Sequence, residues 1–226
     1  MLQKLLDLVY PRLCLACTQR VPAKGSSICI SCQGQINPTN YHLLDDNPVL
    51  ERFWGRIQLQ HATTYCTFTK EGLIQQLIHA LKYRHQPQIG IELGKLYGHE
   101  LKNAPLYQNI DYIIPVPLHP KKQHKRGYNQ AAKFAEGLAE TMGIKWSDDF
   151  FVRQENTTTQ TKKSRMDRFE NVKSAFRVVA PEKLINKHLL LVDDVITTGA
   201  TLEACASNLI EVEGVKVSLA AIALAS

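Results

Sequence analysis

The chain lacks any apolar run near the roughly 20 residues that a membrane-spanning helix requires, so no bilayer span is expected. Its first ten residues are amphipathic and carry Asp7. They lack the long apolar stretch and small-residue cleavage site of a secretory signal, so the expected compartment is the cytoplasm. Internal repeats and low-complexity tracts are absent. Acidic residues are in deficit, with 21 Asp and Glu against 27 Lys and Arg, giving a net charge of +6 and a pI near 9.0. That imbalance favours polyanionic partners without choosing among them. What remains is ordinary for a soluble globular protein: 44% hydrophobic and 21% charged residues. The 226 residues suffice for one sizeable α/β domain plus a small appendage.

The positive charge is concentrated. Lys121, Lys122, Lys125 and Arg126 lie together, and Lys162, Lys163, Arg165 and Arg168 form a second group. A solvated surface is the ordinary reading of such runs, but both groups adjoin residues with site-like chemistry.

Six cysteines divide unequally. Cys14-x-x-Cys17 and Cys29-x-x-Cys32 are two knuckles separated by 11 residues. Each short loop can aim two thiolates at one point, and four thiolates complete a tetrahedral structural Zn²⁺ site. A disulfide framework would need an oxidising compartment, and a redox dithiol would need only one of the pairs. A four-cysteine site has no open coordination position, which assigns it a structural or binding role. Cys66 and Cys205 stand alone and read as small buried hydrophobes.

Along the chain, residues 1–36 read as an N-terminal helix leading into the cysteine module. Residues 37–60 read as a linker packing on the main domain, and residues 61–226 as that domain. A strand is expected at 61–68 and an apolar-striped helix at 71–83, with a second helix at 89–102. Asp111–Val116 reads as an apolar strand ended by Pro115 and Pro117. A helix over Gln130–Met142 with Gly143 as its cap follows, then a short strand at 150–153. Strands at 175–179, 189–192 and 215–224, with a helix at 200–211, complete the pattern. Alternating strands and helices imply a parallel, doubly wound sheet. The polar segment 154–172 lacks apolar periodicity and, at this length inside a compact domain, is either functional or a sign that the element reading is wrong there.

The most informative stretch is Leu189-Leu190-Leu191-Val192-Asp193-Asp194-Val195-Ile196-Thr197-Thr198-Gly199-Ala200-Thr201. Four apolar residues suit a strand buried on both faces. Two carboxylates then stand where that strand would emerge. The turn that follows has small side chains, hydroxyls and a glycine at a helix start, so several N–H groups can converge on a phosphate monoester. The acids suit ribose hydroxyls and a hydrated Mg²⁺. This order resembles the phosphoribosyl-pyrophosphate (PRPP) motif of type I phosphoribosyltransferases.

With three further features the whole chain resembles the ComF family, whose bacterial members are associated with natural competence. One is the cysteine module. Another is Pro115-Val116-Pro117-Leu118-His119-Pro120 followed by Arg126-Gly127-Tyr128-Asn129-Gln130. The third is the series Arg153, Thr157, Gln160, Arg165, Arg168 and Asn171, with Phe176 beyond; Lys82 and Tyr83 also match a short family pattern. Lys163 departs from the family, which usually has a hydrophobic residue there.

The resemblance implies a type I phosphoribosyltransferase-like parallel sheet with helices on both faces, plus a small N-terminal zinc-binding module. It implies PRPP as ligand, with Thr197, Thr198, Gly199, Ala200 and Thr201 holding the 5′-phosphate. Asp193 and Asp194 would meet the ribose hydroxyls, directly or through Mg²⁺. Val116, Pro117, Leu118 and His119 would form the pyrophosphate loop, with Arg126 and Asn129 opening a helix beside it. Segment 154–172 would be the hood, bringing Arg165 and Arg168 over the departing pyrophosphate. Capping and surface solvation are the plainer roles for Arg126 and Asn129, and strand termination for the two prolines. The family's context adds single-stranded DNA and the DNA-uptake machinery as partners. Two functions stay open: phosphoribosyl transfer to an unidentified acceptor, or a zinc-containing accessory protein handling single-stranded DNA with PRPP as a regulatory ligand.

Overall fold

The computed structural model of the protein describes residues 11–154 and 174–225. Its helices are α1 (Ile30–Gln33), α2 (Pro48–Glu51), α3 (Leu73–Tyr83), α4 (Pro87–Asn103), α5 (Pro120–Arg126), α6 (Gln130–Met142) and α7 (Ala200–Ile210). Proline begins α2, α4 and α5, where a missing N–H leaves no helical bond unmade. The bounds of α6 are set chemically. The Asn129 side chain accepts from the Ala131 N–H, and Gly143 at φ +72° ends the helix in a left-handed conformation.

Strands β1 (Ala62–Phe68), β2 (Tyr112–Pro115), β3 (Lys145–Trp146), β6 (His188–Ile196) and β7 (Lys216–Ala225) form a five-stranded sheet in the order β1-β7-β6-β2-β3. Every pairing in it is parallel. The remaining two strands, β4 (Phe151–Arg153) and β5 (Phe176–Val178), pair antiparallel with each other in a separate ribbon. From β2 the chain passes through α5 and α6 to β3 on one side. From β6 it passes through α7 to β7 on the other. The strand order therefore reverses between β2 and β6, where open α/β sheets place a ligand crevice beyond the C-terminal strand ends.

Residue alternation along β6 divides the core between the sheet's two faces. Leu190 and Val192 join the cluster containing Leu93, Leu101, Phe134 and Leu138 of α4 and α6. Leu189 and Leu191 join the cluster with Leu202, Cys205 and Leu209 of α7. The α4–α6 crossing is close enough to require glycine. A Cβ on Gly137 would lie 2.0 Å from the Ile91 carbonyl oxygen, and one on Gly94 2.4 Å from that of Phe134.

The cysteine module is continuous with the first of these clusters, contributing Cys14, Ile28, Cys29, Cys32 and Ile36 beside Leu77 and Leu93. Glu92, a buried α4 carboxylate, anchors it by accepting from the Ser26 hydroxyl (2.6 Å) and the Ser27 N–H (3.2 Å). Segment 37–60 then runs beside β1, the sheet's edge strand. Pro38 bridges Cys66, the Thr39 N–H donates to the Tyr65 carbonyl, and Asn47 Nδ2 donates to the Ala62 carbonyl (3.0 Å). These contacts occupy polar groups that an open sheet edge would present to other chains. Among the described residues, no helix is long and apolar enough to cross a membrane.

Candidate functional site

Register, rather than strand length, frees the acid pair from a neighbouring strand on one side. The apolar run alone suggests a strand ending at Val192. In the fold β6 continues to Ile196, because β7 pairs with it as far as Ile196↔Leu224. On its other side β2 stops earlier, at Pro115↔Val192. Asp193 and Asp194 thus sit inside the strand on an edge that β2 has vacated. The Asp193 carboxylate accepts from the Asp194 N–H (2.8 Å). Loss of water, followed by repulsion from Asp194, pushes the Asp193 carboxyl up to about 7. Asp194 is paired with Lys82 Nζ of α3 at 2.9 Å.

Beyond Ile196, Thr197–Gly199 makes the turn into α7. Gly199 stands at the N-cap with φ +78°, a conformation that favours glycine. The Glu203 N–H bonds the Gly199 carbonyl (2.8 Å), starting the helix. Asp193 and residues 195–202 line a cavity of about 40 Å³ around this turn.

The loop after β2 lies alongside. The Val116 N–H donates to the Val192 carbonyl (2.8 Å), and Asn129 Nδ2 holds the Val116 carbonyl (2.9 Å). His119 is the N-cap of α5, its Nδ1 accepting from the Lys121 N–H (3.2 Å). Arg126 does not open α6 as its position suggested. It is the last residue of α5, which Gly127 at φ +78° terminates, while Asn129 alone caps α6. Its guanidinium bonds Gln130 Oε1 (2.7 Å) and lies 5.4 Å from the Tyr83 ring centroid.

Lys82, Tyr83, His85, Lys122, Lys125 and Arg126 line a pocket of about 220 Å³. Lys82 therefore faces both this basic pocket and the acid pair. The fold brings together Asp193, Asp194, the Thr197–Thr201 turn and the Val116–His119 loop at the ends of two adjacent strands. Arg126 and the α5 lysines stand at the pocket beside Lys82. Arg165 and Arg168, with the rest of the expected hood from 155 on, fall outside the described residues. The link between Lys82 and Asp194 was missed from sequence, although the Lys82-Tyr83 pair was visible as a pattern.

At the other end of the chain, the sulfur atoms of Cys14, Cys17, Cys29 and Cys32 all lie within 4.8 Å of one another. The Cys17–Cys29 separation is 3.9 Å, against ~3.8 Å for a tetrahedron with Zn–S bonds of about 2.3 Å. Backbone N–H groups of Ala16 (3.4 Å) and Cys29 (3.2 Å) point at Cys14 Sγ, the kind of outer contact that orients a thiolate ligand. The thiols differ in acidity. The Gln19 N–H lowers Cys17 to about 6, while burial raises Cys32 to about 12. This donor set could hold a tetrahedral metal ion. Cys66 and Cys205 are buried in the hydrophobic core, and burial raises the pKa of both.

Residues 128–225 match the phosphoribosyl transferase domain family. DNA utilization protein YhgH of Salmonella typhimurium is 33% identical over 137 residues, 59% of this chain and 60% of that protein. Competence protein F of Haemophilus influenzae is 29% identical over 198 residues, 84% and 86% of the two chains. Competence protein ComFC of Streptococcus pneumoniae is 33% identical over 117 residues, 52% of this chain and 47% of that one. These relatives support the resemblance to the ComF family. The match to YhgH thus spans about 60% of that relative's length.

Among solved structures, glutamine PRPP amidotransferase from B. subtilis aligns at 19% identity and a TM-score of 0.43, covering 62% of this chain and 30% of that one. Adenine phosphoribosyltransferase from Saccharomyces cerevisiae aligns at 17% and 0.40, covering 64% and 72%. Superpositions this loose transfer neither residues nor substrates. The chain has the type I phosphoribosyltransferase-like sheet, with helices on both faces, preceded by a four-cysteine module compatible with zinc.

Proposed function

We propose that this protein is a member of the ComF family that binds PRPP at the carboxyl ends of β2 and β6. One observation carries the reading: an acid pair and a phosphate-type turn stand together where the strand order reverses. The amides and hydroxyls of Thr197, Thr198, Gly199, Ala200 and Thr201 would hold the 5′-phosphate at the start of α7. Asp193 and Asp194 would accept from the ribose hydroxyls or hold a hydrated Mg²⁺, for which two carboxylates are a suitable oxygen donor set. When bound, Mg²⁺ would offset charge on the pyrophosphate. Val116–His119 would lie along the pyrophosphate, with Lys82, Lys122, Lys125 and Arg126 supplying countercharge from one side. Arg165 and Arg168 are proposed to act from the hood.

The four cysteines would hold one structural Zn²⁺. Such a protein would work in the cytoplasm, in the DNA-uptake context that the resemblance to competence proteins implies. Calorimetry with PRPP·Mg²⁺ tests the binding claim, and absence of binding refutes it. Turnover is assayed separately, as pyrophosphate release with candidate acceptors.

A second reading is favoured by the exposed Tyr83 in the basic pocket. An aromatic face among Lys122, Lys125 and Arg126 suits stacking and phosphate contacts with single-stranded DNA. Fluorescence anisotropy of a labelled strand across a salt series measures this. Each neutralised phosphate adds about 0.7 to the log–log slope, so changing all three cations to Gln should reduce it by about 2. An unchanged slope places DNA elsewhere or nowhere on the protein.

A further inference from the structure

The turn before α7 is gripped from behind by residues of segment 37–60. Arg52 donates one guanidinium nitrogen to the Thr197 carbonyl and the other to the Ala225 carbonyl (2.9 Å). Arg56 donates to the Thr198 carbonyl (3.3 Å) and the Arg52 carbonyl (2.9 Å), while its second terminal nitrogen bonds the buried Glu203 carboxylate. Between them, Phe53 is 1% exposed and lies against Gly199, where an added Cβ would stand 2.8 Å from the ring.

The peptide unit explains why these contacts concern a ligand. The Thr197 carbonyl shares its peptide with the Thr198 N–H, and the Thr198 carbonyl shares its peptide with the Gly199 N–H. In a trans peptide the two dipole ends point in opposite directions. A guanidinium holding the carbonyl end therefore aims the N–H end away from itself. It also polarises the amide, making that N–H a stronger donor. With Arg56 paired to Glu203, the charge of Arg52 is left in net excess one peptide behind the turn, which further favours a dianion in front of it. Phe53 meanwhile leaves no room for a side chain at the left-handed Gly199.

We infer that Arg52, Phe53 and Arg56 are positioning residues for the 5′-phosphate site, a clamp that makes the turn of the C-terminal motif a binder of phosphate monoesters. This inference rests on the proposed reading of the turn as a phosphate site. It also gives segment 37–60, which leads out of the cysteine module, a direct part in that site.

The test is calorimetry on the full chain with ribose 5-phosphate and with PRPP·Mg²⁺. Arg52→Gln, and Arg56→Gln combined with Glu203→Gln so that no buried carboxylate is left unpaired, should each weaken both ligands at least fivefold. Glu203→Gln alone leaves Arg56 charged and on its carbonyl, so affinity should stay within twofold of wild type. Arg56→Lys should recover part of the loss. Amide proton shifts of Thr198 and Gly199 on adding ribose 5-phosphate should shrink in the arginine variants, a change that loss of stability alone would not produce. Thr201→Val reports on the turn independently of the clamp. Weak binding by Thr201→Val with wild-type binding by the arginine variants would overturn the clamp and leave the phosphate site standing. Wild-type protein that binds neither ligand would remove the phosphate site, and the clamp with it. Should Arg52→Gln not fold, the Arg56 and Glu203 variants decide the question.

Discussion

Replacing Asp193 with Asn should stabilise the ligand-free protein while weakening PRPP binding. The folded environment raises the Asp193 carboxyl from the ordinary 3.8 to about 7, first through loss of water and then through Asp194. A raised folded pKa means that the native state holds the proton more tightly than the unfolded chain. The associated stability is complete below about pH 4 and is lost as pH rises to about 7. Above that, the wild type carries an ionised carboxylate in an unfavourable site.

Each pKa unit corresponds to ~1.4 kcal/mol, so even one unit of relief should raise Tm by roughly 3–6 °C at pH 8 for a chain of this size. The gain should shrink towards pH 4 and vanish below it, where both states are protonated in wild type. Asn also forfeits a charge-assisted contact to ribose or Mg²⁺. Such contacts contribute about 1.5–3 kcal/mol, so PRPP affinity at pH 8 should fall at least tenfold. Differential scanning fluorimetry across pH 4–8, with calorimetry at pH 8, measures both effects. Destabilisation at pH 8, or a gain equal at pH 4 and pH 8, would refute the reasoning about Asp193. Unchanged PRPP affinity would remove it from the site.

Purified protein should carry one zinc per chain, and Cys14→Ser should release it, as read by elemental analysis. Because Cys14, Ile28, Cys29 and Cys32 share a core with Leu77 and Leu93, metal loss should also lower the Tm of the whole protein. Gly137→Ala should cost at least about 1–3 kcal/mol in denaturant unfolding, since its Cβ would meet the Ile91 carbonyl where α4 and α6 cross. A near-neutral Gly137→Ala would show that the two helices separate without loss.

Much of the fold can be read from local chemistry. Asn129 and Gly143 announce both ends of α6, and an apolar run in a two-sided environment marks β6. Two C-x-x-C pairs bring their own geometry, because each loop already aims both sulfurs. Other features depend on partners that sequence distance conceals. Nothing in Phe151–Arg153 or Phe176–Val178 says that these strands pair with each other instead of joining the parallel sheet. Arg126 lies close before α6, yet Pro120 and Gly127 enclose it in a separate short helix. Lys82 meets Asp194 only because α3 packs where β6 emerges, and Arg52 reaches Thr197 across most of the chain.

The sequence by itself determined the chemistry available: four thiolates at knuckle spacing, an acid pair, a hydroxyl-rich turn before a helix, and a surplus of basic residues. These depend on residue type and near neighbours, whose geometry a short backbone segment dictates. Only the tertiary structure decided which of those groups face one another. The parallel register ended β2 at Pro115, opposite Val192, and so left the acid pair without a strand on that side. Helix packing then put Lys82 on that pair, and the segment beside β1 put Arg52, Phe53 and Arg56 behind the phosphate turn. Such long-range placements come from burying apolar faces and filling hydrogen bonds across the whole chain, and no local pattern encodes them.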